Sequence, residues 1–283
     1  MVNFAGISFK NPVTLASGTC GFGRELSEYS DLSELGGICT KGLTLHPRAG
    51  NPAPRSAETP AGMLNSVGLQ NPGIDEFIKT ELPFMRTLGT RIIANFSAAS
   101  VEEFALCAAK LADSGVDMLE VNVSCPNVKA EGLAFGTSPD AVAAVTSAVK
   151  SAAGNVPVMV KLSPNVTDIT AIAKAAEQSG ADALSLINTL LGMRFDLRSG
   201  KPILANGTGG LSGAAIFPVA LRMVYQTVNA VRIPILGLGG INSADDAREM
   251  LIAGASLIGV GTALFRDPDI AGKIAREMKD SRE

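Results

Sequence analysis

Eight strand-like apolar runs alternate with stretches of helical spacing, and this repeat constrains the fold more than any other feature of the chain. The runs cover residues 13–17, 38–41, 91–95, 118–124, 158–163, 183–189, 235–239 and 257–262. Most are apolar nearly throughout, as parallel strands covered on both faces must be. Eight such units in succession fit a closed (β/α)8 barrel, a TIM barrel of the α/β class, better than an open sheet. Helix starts fall between the runs. Ser100 with Glu103, and Ser243 with Asp246, can each satisfy free amides of a first turn, and Pro139 after Ser138 suits a first helical position. A further helical stretch is expected around residues 24–35. Ahead of the first run, two short apolar patches around Gly6 predict an N-terminal β-hairpin that ends at Asn11-Pro12.

The 283 residues could make two average domains, but one barrel of this size is equally usual and no linker interrupts the pattern, so residues 1–283 are read as a single domain. The net charge is −3 and the Lys and Arg residues are scattered, which disfavours nucleic acid and anionic membrane surfaces as partners. No leader-like segment opens the chain and no apolar run approaches the roughly 18 residues of a membrane span, so a soluble cytoplasmic protein is expected. The four cysteines, Cys20, Cys39, Cys107 and Cys125, form no C-x-x-C pair and no zinc-like cluster with the sole histidine, His46. They read as free thiols in a reducing compartment, with no metal site and no iron–sulfur cluster held by this chain alone.

In such a barrel the site lies at the carboxyl ends of the strands. Those ends carry Ser17, Lys41, Asn95, Asn122 with Cys125 and Asn127, Lys161, Asn188 with Thr189, Gly239-Gly240, and Gly261-Thr262. Amides, hydroxyls and two ammonium groups around one thiol suit a planar, heteroatom-rich ligand. Either glycine pair alone also suits a tight turn, but together, after the seventh and eighth strands, they favour a bound phosphate. Lys41 and Lys161 each close an apolar strand, which directs them into the site or leaves them solvated at its rim. Cys125 alone would read as a small buried residue; its flanking asparagines favour chemistry. Cys107, spaced with Phe104 and Leu111, and Cys39, inside a strand, read as core; Cys20 either packs or lines the site, and His46 lacks a carboxylate partner. Two connections, 42–71 and 190–212, are long enough to cover a site or to move. Glycine-rich segments at 207, 237 and 259 each lack the last glycine of G-x-G-x-x-G, so no dinucleotide site is evident.

Asn122-Val-Ser-Cys-Pro-Asn127, Thr40-Lys-Gly42, Asn65-Ser-Val-Gly-Leu69, Ile187-Asn-Thr189 and the paired glycines together resemble the dihydroorotate dehydrogenases over essentially the whole chain. The resemblance implies an FMN-containing barrel that oxidises (S)-dihydroorotate to orotate in pyrimidine biosynthesis. Cys125 would remove the C5 proton while hydride passes from C6 to flavin N5. Implied substrate contacts are Lys41, Asn65, Ser66, Val67, Gly68, Leu69, Asn122, Asn127, Asn188 and Thr189. Implied FMN contacts are Ser17, Lys41, Gly42, Asn95, Asn122, Lys161, Ile187, Gly213, Gly239, Gly240, Gly261 and Thr262. Residues 128–138 directly follow the base and are expected to form a mobile lid.

The run Glu131-Gly-Leu-Ala-Phe-Gly136, with Pro47-Arg-Ala-Gly-Asn-Pro52, resembles the NAD-linked class 1B catalytic subunits rather than the fumarate-linked class 1A homodimers. That resemblance implies a homodimer core within a heterotetramer, whose electron-transfer subunit carries FAD and a [2Fe-2S] cluster, with NAD+ as final acceptor. At Thr19-Cys20-Gly21 the family pattern would place a phenylalanine, which bears on flavin packing. The alternatives are a class 1A-type enzyme, a related dihydropyrimidine oxidoreductase, a non-redox barrel for a phosphorylated metabolite, and a pure binding protein.

Overall fold

The computed structural model of the chain describes residues 1–124, 129–130 and 133–280. Eight parallel strands close into a barrel: β1 (Val13–Leu15), β2 (Gly37–Cys39), β3 (Arg91–Phe96), β4 (Met118–Asn122), β5 (Val158–Lys161), β6 (Ala183–Leu186), β7 (Ile235–Leu238) and β8 (Leu257–Val260). Each pairs with the next in sequence, and β8 pairs with β1. Several predicted runs outlast their strands. The run at 118–124 is strand only to Asn122 and that at 183–189 only to Leu186, although Ile187 N and Asn188 N still donate to Leu238 O and Leu162 O; Ser124 and Thr189 follow on loops at the carboxyl end of the barrel.

Helices cover the outside: α1 (Leu82–Thr87), α2 (Val101–Asp113), α3 (Pro139–Ala152), α4 (Ile169–Gln178), α5 (Phe217–Val228), α6 (Ala244–Ile252) and α7 (Ile270–Asp280). Helix α2 buries Phe104, Cys107, Ala108 and Leu111, one stripe of its surface. Its start is a reciprocal cap: Glu103 N donates to Ser100 Oγ, and Ala99 N donates to Glu103 Oε2 at 2.6 Å. Ser243 and Asp246 act the same way ahead of α6. The helix expected over 24–35 is absent; two 310 turns, Leu26–Glu28 and Leu32–Glu34, stand in its place. Small polar side chains here take backbone partners for themselves, with Ser27 Oγ donating to Arg24 O and Ser33 N donating to Asp31 Oδ1, which competes with a helical ladder. No helix among the described residues is long and apolar enough to cross a membrane.

The hairpin pairs Val2–Phe4 with Ile7–Phe9, turning through Ala5 and Gly6 at positive φ. Its Phe4 and Phe9 are fully buried and pack with Met118, Met159, Ala183 and Leu257, which stopper the amino-terminal end of the barrel. At the opposite end, parts of the two long connections are not loops. Ser56–Thr59, Gly62–Asn65, Gly209–Ser212 and Leu190–Gly192 form, in that spatial order, a four-stranded antiparallel sheet over the mouth.

Candidate active site

The barrel's carboxyl end and the antiparallel sheet enclose a cavity of about 720 Å³, within the range of cofactor-sized sites. Every site residue expected from the sequence that lies among the described residues lines this cavity. Cys125 and Asn127 lie outside the described residues; Ser124, which directly precedes the thiol, lines the cavity and donates its Oγ to Lys161 O at 3.2 Å.

Strand register builds the cavity floor. The β3–β4 pairing sets Asn95 opposite Glu120, and the β5–β6 pairing sets Lys161 opposite Ser185. A slip of one residue would turn all four away from the barrel axis. Glu120, buried to 1% exposure, accepts from Asn95 Nδ2 at 2.5 Å and from Ser185 Oγ at 2.6 Å. Lys161 Nζ stands 4.0 Å from Glu120 Oε2. A carboxylate can only accept, so the Asn95 amide must give it Nδ2 and turn Oδ1 elsewhere. That Oδ1 is buried and has no hydrogen-bond partner among the described residues, and Asn95 lines the cavity. An orphaned buried acceptor costs about 1–3 kcal/mol unless a ligand N–H or O–H reaches it.

Above the floor, Asn188 Nδ2 donates to Asn122 Oδ1 at 3.4 Å, Ser124 N donates to the same oxygen, and Thr189 N donates to Asn188 Oδ1. Asn165, which the sequence reading did not single out, donates its Nδ2 to Thr189 O and accepts from Leu191 N, fixing that loop to the antiparallel sheet. Across the cavity, Asn51 Nδ2 donates to Ser66 O and Ser66 Oγ, which steadies the 65–69 segment. Leu69 adopts φ +56, a strained choice for a leucine, at the point where this segment lines the site. Lys41 is half-buried; that burial, aided by the charge of Arg55, holds its pKa below the ordinary lysine value.

On the far wall, Gly239 and Gly240 have φ +128 and +81. A side-chain carbon on Gly240 would come within 2.8 Å of Gly213 O and Phe217 N, so glycine is required where this turn meets the start of α5. Thr262 Oγ1 donates to Ser212 Oγ at 2.8 Å, joining the turn after β8 to the same wall.

Four residues weighed from the sequence, Cys20, Cys39, Cys107 and His46, lie outside the cavity lining. Cys20 is buried in the core, where burial pushes its thiol up to about 12. Cys39 and Cys107 are core as read, and burial likewise raises both. His46 is exposed beside a separate small hollow shared with Arg48, Ser97 and Glu103. The expected lid at 128–138 falls partly outside the described residues. Its far end is packed: Phe135 is buried edge-on against Phe104, their centroids 5.7 Å apart.

The family model described as dihydroorotate dehydrogenase matches residues 1–281. A protein of Maridesulfovibrio salexigens named dihydroorotate dehydrogenase B (NAD(+)), catalytic subunit, is 58% identical over 98% of this chain and 91% of its own length. Proteins of the same name from Alkaliphilus metalliredigens and Geobacillus kaustophilus are 58% and 54% identical, over 94% and 98% of this chain and 88% of each relative. The chain that folds into this barrel therefore belongs to the dihydroorotate dehydrogenase family.

Proposed function

We propose that this chain is the FMN-binding catalytic subunit of an NAD-linked dihydroorotate dehydrogenase, a single barrel domain that oxidises (S)-dihydroorotate to orotate in the cytoplasm. The observation that carries this reading is the convergence on one cavity of the glycine-rich wall, the two lysines, the amides of Asn65, Asn122 and Asn188, and the unsatisfied Asn95 Oδ1. The residues fit FMN: Gly213, Gly239, Gly240, Gly261 and Thr262 offer backbone and hydroxyl donors for its phosphate, while Asn95, Lys41 and Lys161 meet a flat polar ring. Bound FMN would supply the acceptor for the hydride leaving C6 of the substrate.

The chain's own residues do the rest. Cys125 Sγ takes the C5 proton, which a thiol does only as its thiolate, so proton removal limits turnover at low pH. Lys41 faces the substrate carboxylate, and the amides of Asn122, Asn188 and Asn65 hold the pyrimidine ring in one orientation. Lys161 sets a positive charge where negative charge develops, as electrostatic stabilisation requires. The antiparallel sheet screens the mouth from water.

The relatives' shared name, a catalytic subunit linked to NAD(+), supports a separate electron-transfer subunit. We assign that partner FAD and a [2Fe-2S] cluster, and place a homodimer of this chain within a heterotetramer. Orotate formation from dihydroorotate, followed with a dye acceptor, fumarate and NAD+ in turn, tests the reading. The dye should support turnover by the chain alone, and NAD+ only once the partner is added. Turnover with fumarate alone would replace this reading with a class 1A one.

A further inference from the structure

Glu120 is a buried charge that neither phosphate nor substrate recognition explains. It sits beneath the cavity, not on its wall, at 1% exposure, and ionised groups are kept so deep only when partnered. Its two short hydrogen bonds go to Asn95 and Ser185, and its nearest cation, Lys161 Nζ, is 4.0 Å away. Both Asn95 and Lys161 line the cavity, so among the described residues the carboxylate reaches the site through them. Among the described residues the Cys39 thiol also faces Glu120, and burial and the Glu120 charge itself keep it protonated, so it adds no second negative charge.

We propose that Glu120 is a positioning residue for the flavin reaction: it locks the Asn95 amide with its oxygen toward the cavity and offsets the Lys161 charge, holding down the reduction potential of the bound flavin. The inference rests on the FMN reading above. A fixed negative charge beside a group that gains electrons opposes reduction, while a lone cation favours it. The Glu120–Lys161 pair thus sets a balance between accepting hydride and passing electrons on, which Lys161 alone would tilt toward retention.

The test is the midpoint potential of FMN in reconstituted holoprotein, measured spectroelectrochemically beside FMN affinity and thermal melting. Glu120→Gln should raise the potential by at least a tenfold shift in the redox equilibrium, about 30 mV for a two-electron couple. Glu120→Asp, which keeps the charge, should stay near wild type. Removing one member of a buried pair can prevent folding, whereas removing both is often tolerated. The double variant Glu120→Gln/Lys161→Met should therefore fold and return to within a tenfold shift of wild type. An unmoved potential in a folded Glu120→Gln holoprotein overturns the inference, as does a double variant whose potential falls tenfold or more, as loss of the cation alone would give. If wild-type protein binds FMN and is reduced by dihydroorotate, such outcomes count against Glu120 only. If it binds no FMN, the functional reading fails and takes this inference with it.

Discussion

Asn95 and Lys41 show how single residues here carry testable chemistry. Asn95 commits its amide nitrogen to Glu120 and leaves a buried oxygen unpaired at the cavity. Replacing it with alanine removes the acceptor, and FMN affinity measured by fluorescence titration should fall about tenfold to a hundredfold, equivalent to about 1–3 kcal/mol. Lys41 is held by burial below its ordinary value of 10.5, so in the free protein it loses its charge earlier as pH rises. Anion binding needs the charged form. Orotate affinity should therefore decline through the window beneath 10.5, with proton uptake on binding that calorimetry in buffers of different ionisation enthalpy detects. Lys41→Arg, whose guanidinium does not titrate there, should bind more weakly but with no such decline.

Among the elements, the turn after β7 and the N-terminal hairpin support opposite ends of the barrel. Gly240→Ala must place a side chain at φ +81 against Gly213 O and Phe217 N. It should cost at least roughly 1–2 kcal/mol from the backbone alone, lowering Tm and weakening FMN together. Phe4→Ala empties the stopper at the other end and should cost about 3–5 kcal/mol by thermal or urea unfolding, with little effect on FMN affinity in the folded protein. The eight barrel strands were legible because each is a run of apolar residues whose burial on two faces leaves no alternative. The antiparallel sheet over the mouth was not. Its strands are short, three of the four contain glycine, and Gly62–Asn65 pairs with Gly209–Ser212 across more than a hundred residues, so no local signal announces it. The missing first helix has a local cause too: Asp31 caps the second 310 turn through Ser33 N, and Ser27 Oγ in the first bonds back to Arg24 O.

At the scale of the whole molecule, the site was legible because barrel geometry gathers strand ends, so a list of residues at those ends becomes a list of cavity walls. Glu120 escaped because it lies one step inside β4, where alternation marks it as polar but gives no reason to keep it buried; only its partners across β3 and β6 supply that reason. Asn165 escaped because its role depends on the 189–191 loop folding back to meet it. We propose that this cavity holds FMN reducible by dihydroorotate, with Cys125 as the base. Anaerobic mixing of the FMN-loaded chain with dihydroorotate, followed by flavin absorbance beside Cys125→Ser, tests it most directly. The predicted result is rapid bleaching in the wild type and bleaching slowed by at least about a hundredfold in the variant, a general base contributing roughly 10²–10⁴ in rate. Bound flavin that dihydroorotate leaves oxidised, or a variant that bleaches as fast as wild type, would contradict it.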